Sequence, residues 1–151
     1  PSNAIKDPNN LLMQQADGTF QEMGQSAGLA STERGRGAAL VDFDGDGRLD
    51  VLVLNRRAPL QIYRNETPDA GHWLAVSLVQ PGGNRHAIGA SVTVNGDMQR
   101  AIIGGGHAGG QATPLHFGLG EATQAEITVE WPSGQITHHT ATADQIVTLS
   151  P

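Results

Sequence analysis

The stretch VDFDGDGRLDVLVLN, Val41 to Asn55, constrains the fold more than any other part of the chain, because it crowds four aspartates into nine residues between apolar runs. Asp42, Asp44, Asp46 and Asp50 take the first, third, fifth and ninth places of DFDGDGRLD. Ionised carboxylates that close repel one another, so a stable turn needs positive charge among them. Val41 and Phe43 on one side and Val51 to Leu54 on the other read as strands, which makes the segment a strand–loop–strand unit.

Short carboxylates at alternate places supply hard oxygen donors, the type preferred by Ca²⁺, which takes roughly six to eight oxygens in adaptable geometry. Magnesium fits less well because it keeps its waters and an octahedral shell. Gly45 and Gly47 relieve the sharp turn. Arg48, at the seventh place, can offer its backbone carbonyl whatever its side chain does. An EF-hand is excluded because its twelfth place needs an acidic ligand and Val53 stands there. The candidate ligand set is therefore Asp42, Asp44, Asp46, Asp50 and the Arg48 carbonyl, and the candidate cofactor is Ca²⁺.

The rest of the 151 residues supports an all-β reading. Gly 20 and Pro 8 are high, charged residues are 16 % and aromatics 4 %, and no long helix-forming run occurs. Strand-like runs recur between turn residues: Leu11–Gln15, Thr19–Met23, Ala38–Phe43, Asp50–Leu54, Leu60–Arg64, Trp73–Val79, Leu115–Leu119, Ala125–Trp131, Gln135–Thr140 and Ile146–Leu149. SVTVNGDMQRAII is the clearest hairpin, two alternating runs across Asn95-Gly96. GQSAGLASTERGRG reads as a loop, ATADQ as a single helical turn, and Gly104 to Pro114 as a long mobile loop.

Residues 1–9 are expected to be a disordered segment, with Ser2-Asn3-Ala4 reading as a cloning remnant on a piece of a longer protein. NETPDAGH, Asn65 to His72, is the best linker, dividing 10–68 from 69–151. The net charge of −6 argues against a nucleic-acid binder. With Cys 0, disulfides and thiolate metal sites are excluded. No apolar run approaches the roughly 20 residues of a membrane span.

GAALVDFDGDGRLDVLVLNRRAPLQIYRN resembles a blade of the FG-GAP/VCBS-type calcium-binding β-propeller repeat, and NNLLMQQADGTFQEMGQSAGL is similar to the tail of a preceding blade. HAIGASVTV, LHFGLG and VEWPSGQI resemble the ASPIC/UnbV domain. The resemblance implies a partial propeller blade region over 10–68, followed by an antiparallel β-sandwich or barrel-like domain over 69–151. It also implies a secreted, cell-surface or periplasmic setting. One blade cannot close a propeller, so its edges need covering by the second domain, by further chain or by another copy, and a homodimer through strand edges is expected.

No catalytic constellation emerges. His138 and His139 are adjacent in a strand, so they face opposite ways, while His72, His86 and His107 lie in separate loops. His116 reads as a half-buried packing residue, and PSG at 132–134 is a turn rather than a nucleophile elbow. Arg34, Arg36, Arg56 and Arg57 form a mildly basic cluster around the aspartate loop. Trp73 and Trp131 are expected in core or interface packing. The reading is a non-enzymatic calcium-binding extracellular binding or adhesion module, with a protein or carbohydrate partner. The alternative is an accessory domain of a secreted enzyme whose catalytic part lies elsewhere.

Overall fold

Residues 7–104 and 114–151 are described by a computed structural model, and within them there are twelve strands and no helix. Strands β1 (Leu12–Gln14) and β2 (Phe20–Glu22) form an exposed hairpin. Strands β3 (Gly35–Val41), β4 (Asp50–Asn55) and β5 (Gln61–Tyr63) make a three-stranded antiparallel sheet. The aspartate loop joins β3 to β4, as the two flanking apolar runs require. Among the described residues no helix is long and apolar enough to cross a membrane.

The second half of the chain builds two sheets around one core. β11 (Ile136–Thr142), β10 (Gln124–Glu130), β7 (Ser91–Val94) and β8 (Asp97–Arg100) form the first, in that order. β12 (Gln145–Leu149), β6 (His72–Leu78) and β9 (Leu115–Gly120) form the second. Period-two alternation decides which side chains enter. Leu74, Val76 and Leu78 of β6 meet Val92 and Val94 of β7, Phe117 of β9, and Ala125, Ile127 and Val129 of β10. Each fully buried Val, Leu or Ile contributes about 1.5–3 kcal/mol from removal of apolar surface from water. Neither sheet closes into a barrel, so the architecture is sandwich-like.

The Asn95-Gly96 turn takes φ 49° and 98°, the left-handed pair that a tight hairpin with matching twist needs. ATADQ is not a helical turn but the corner at which the chain leaves one sheet for the other. Asp144 sits there at φ 61° and donates its N–H to the Trp73 carbonyl at 2.7 Å. The β-branched threonines before it pair with β10 up to Thr142, which leaves no residues for a helix. From this corner β12 runs parallel to β6, the one pairing here that departs from the antiparallel expectation. The segment expected as a loop over 24–37 ends earlier, at Gly35, where a bulge opens β3. The Gly104 to Pro114 expectation lies almost wholly outside the described residues, as does most of 1–9.

The outward face of β6 is not left to solvent. Ala75 is buried there, and Trp73 stacks against His116 of β9 with ring centroids 5.7 Å apart and planes 4° from parallel. Gly47 of the aspartate loop is seated against this pair, its carbonyl 2.8 Å from His116 Nε2. A carbonyl only accepts, so Nε2 carries the proton.

Candidate metal centre

The aspartate loop is wound around Asp42. Its Oδ1 accepts the N–H of Gly45 at 2.8 Å and of Asp46 at 3.0 Å, and its Oδ2 accepts that of Gly47 at 2.9 Å. Three backbone donors aimed at one carboxylate force a tight turn, and Gly45 and Gly47 meet it at φ 77° and 85°. The turn brings Asp42, Asp44 and Asp46 together, with a ligand oxygen from each lying within 4.8 Å of the others. This donor set, all carboxylate oxygen on a glycine-relieved loop, fits a hard divalent cation of calcium's type.

Asp50 plays a different part. It is 2 % exposed, and its two oxygens accept the N–H of Phe43 at 3.0 Å and of Asn65 at 2.8 Å. It thereby ties both ends of the loop to the segment after β5, where the Asn65 amide also donates to the Leu49 carbonyl. An oxygen that accepts one N–H retains a lone pair for a metal, so the brace and the ligand role are compatible.

Two guanidinium groups balance the remaining charge. Arg64 Nε lies 2.8 Å from Asp44 Oδ2, and its Nη2 is 3.7 Å from Asp46 Oδ2. Arg48 pairs with the Asp46 carboxylate and donates from Nε to the Asn65 carbonyl at 2.8 Å. The Arg48 backbone N–H, donated to Asp46, holds that carboxyl below the usual carboxylate range, with the two guanidinium charges acting the same way. Arg64 was not legible as a partner from the loop alone. The signal was in the register: Tyr63 pairs with Val51, which sets Arg64 beside the first residues of β4.

The basic cluster expected around the loop is elsewhere. Gly35 pairs with Asn55, and the Arg56 N–H donates to the Arg34 carbonyl, so Arg34, Arg36, Arg56 and Arg57 gather at the far end of the β3–β4 pair. Antiparallel strands of this length separate their two ends by roughly 20 Å. Of the histidines, His138 and His139 bond separately to Thr128 and Thr137, and His72 pairs with Asp144 at 2.8 Å. His107 lies outside the described residues. Trp131 is 2 % exposed and belongs to the core.

The brace and the cluster separate by mutation. Asp50→Asn loses one of two buried acceptors and is expected to cost about 1–3 kcal/mol even in EDTA. Asp44→Asn in EDTA removes only a solvent-accessible ion pair and is expected to change stability by less than about 1 kcal/mol. Urea melts of both variants in EDTA check this, and equal losses would refute the division of roles.

Residues 3–53 match the FG-GAP-like repeat family model, and residues 80–151 match the ASPIC and UnbV model. Cartilage acidic protein 1 of Mus musculus is 28 % identical over 144 residues, covering 90 % of this chain and 22 % of its own. The same protein of Xenopus tropicalis is 31 % identical over 129 residues, covering 80 % and 20 %. That of Homo sapiens is 29 % identical over 134 residues, covering 83 % and 20 %. The chain thus spans about a fifth of the length of these relatives.

Proposed function

We propose that a chain joining an FG-GAP-like repeat to an ASPIC and UnbV domain, as this one does, serves as a calcium-holding extracellular binding module rather than as an enzyme. The observation that carries the reading is the Asp42, Asp44 and Asp46 cluster on a loop seated against the outer face of the sandwich. Asp42, Asp44 and Asp46 would hold the ion, with Asp50 and the Arg48 carbonyl completing its oxygen shell. Calcium would neutralise the cluster and stiffen the loop, while these carboxylates bind rather than transfer protons. The extracellular setting is supported by relatives whose name refers to cartilage. The partner is an extracellular protein or carbohydrate, in keeping with a chain that has few charges and no catalytic constellation among its described residues.

The test is a thermal melt of the chain in EDTA and in calcium, with a magnesium control. At calcium about 100 times its Kd, linkage stabilises the fold by about 2.7 kcal/mol. For a chain of this size that raises the midpoint by roughly 5–10 °C. Asp44→Ala is expected to abolish the rise. An unchanged midpoint in the unmutated chain would overturn the reading.

A further inference from the structure

Four of the chain's nine basic residues gather where the β3–β4 pair ends, away from the aspartate loop. Gly35 pairs with Asn55, and the Arg56 N–H donates to the Arg34 carbonyl at 2.8 Å. Arg34 and Arg36 are thereby set beside Arg56 and Arg57, which open the turn between β4 and β5. Neighbouring strands lie roughly 5 Å apart and successive Cα atoms about 3.8 Å, so the four backbones fall within roughly 12 Å of one another. All four residues are exposed.

Their charge is not balanced locally. Arg48 and Arg64 are engaged with Asp46 and Asp44, whereas none of these four forms an ion pair among the described residues. Glu33 is the one acidic residue in segments 24–41 and 51–63, and it pairs with none of them. Nor does Asp7, two places before the Asn9 whose N–H donates to the Ser31 carbonyl. Arg36 donates from Nη1 to the Gly35 carbonyl at 3.2 Å, one of the five N–H groups of its guanidinium. The turn that carries Arg56 and Arg57 is braced, since Asn55 Nδ2 donates to the Pro59 carbonyl and to Gln61 Oε1, each at 3.0 Å. Within it Arg57 takes φ 62°, where glycine or asparagine is the unstrained choice. An arginine held in a strained position of a braced turn, beside three more of its kind, points to a surface that serves binding rather than folding.

We propose that this end of the repeat sheet binds an anionic polysaccharide, its sulfate or carboxylate groups held by Arg34, Arg36, Arg56 and Arg57. A planar guanidinium meets such oxyanions with two parallel N–H bonds. Several like charges packed this closely match a chain of repeated anions better than a single small anion. The net charge is −6, and the four aspartates sit at the other end of the same sheet. A duplex nucleic acid, which needs a broad basic face, is therefore repelled over most of the surface, while a slender glycan chain meets this end alone. The proposal rests on the extracellular binding reading and names the class of partner, and it uses none of the proposed calcium ligands.

The test titrates a heparin oligosaccharide, neutral dextran and a single-stranded oligonucleotide of equal charge into the full chain by calorimetry, in EDTA and in calcium. The heparin fragment is expected to bind saturably in both, and to weaken about tenfold between about 0.05 M and about 0.3 M salt. Dextran is expected not to bind. Arg34→Gln combined with Arg56→Gln is expected to weaken heparin about tenfold. Arg57→Gly relieves the backbone, so it is expected to weaken heparin roughly fivefold with no fall in melting midpoint. Arg85→Gln, in the turn after β6, is expected to leave heparin binding unchanged. The proposal is overturned if the unmutated chain shows no saturable heparin binding, or if Arg85→Gln weakens it as much as the Arg34 and Arg56 pair. An oligonucleotide that binds as tightly as heparin overturns it too. A calcium-induced rise in midpoint without heparin binding overturns this proposal alone, and heparin binding without that rise overturns the calcium reading alone.

Discussion

Trp131→Ala is expected to be the most damaging single truncation in the sandwich, costing about 3–5 kcal/mol. Trp131 is the largest of the fully buried side chains, and it closes the core at the end of β10 where the chain turns into β11. Its indole N–H donates to Thr137 Oγ1 at 2.9 Å, so the ring is both packed and oriented. Its backbone holds the turn as well: the N–H donates to the Gln135 carbonyl and the carbonyl accepts from Gly134, each at 2.8 Å. Alanine keeps the backbone bonds and removes the ring, leaving a cavity that flanking strands fixed by ladders on both sides cannot collapse. The expected fall in melting midpoint is on the order of 10 °C. Thr137→Val separates packing from polarity. It keeps the ring and leaves the indole N–H without its acceptor, at about 1–3 kcal/mol. Calcium affinity should be unchanged in both variants, because the aspartate loop lies against the opposite face of the β12–β6–β9 sheet. A Trp131→Ala protein that melts within a few degrees of the parent would show that the core does not depend on the ring.

The difference between these core positions and the metal loop's surroundings explains what could be read from the sequence. AEITVEW declares its buried face by alternation, and Asn-Gly declares its turn by backbone conformation; both signals are local. The aspartate trio is local too, since a turn of five residues brings its members together whatever the rest of the chain does. The seating of the loop is not. His116 is 69 residues from Gly47, and their hydrogen bond exists only because β9 pairs with β6 and puts His116 diagonally beside Trp73. Nothing in the spacing of either residue announces that contact. Parallel pairing of β12 is equally hidden, because alternation in a five-residue strand is the same in either direction. The misplaced arginine cluster has a related cause. Arg34 to Arg57 bracket the aspartates in sequence, but two strands carry them to the other end of the sheet, and the cation that reaches Asp44 is Arg64, just past the end of β5.

Gly47→Ala is expected to destabilise the chain by about 2–6 kcal/mol, from two sources that separate experimentally. Gly47 has φ 85°, where a residue with a Cβ carries a strain of about 1–3 kcal/mol. The added methyl would also fall 2.1 Å from Trp73 Cδ1 and Nε1, far inside contact distance. The indole has little room to yield, since it is stacked on His116, whose own ring is bonded to the Gly47 carbonyl. Overpacking of this kind adds about 1–3 kcal/mol, or else the loop lifts from the sandwich and the His116 bond breaks. A double-mutant cycle with Trp73→Ala distinguishes the terms. Removing the indole opens the space, so on that background Gly47→Ala should cost only the backbone strain, and the cycle should show a coupling of about 1 kcal/mol or more. Denaturant melts of the four proteins measure it, and an equal cost on both backgrounds would mean that the loop is not seated on Trp73. Because Gly47 immediately follows Asp46 and donates its N–H to Asp42, a lifted loop would also spread the aspartate trio. Calcium affinity should therefore fall in Gly47→Ala and recover in the double variant, a pattern that ties the geometry of the ion site to the surface of the domain beneath it.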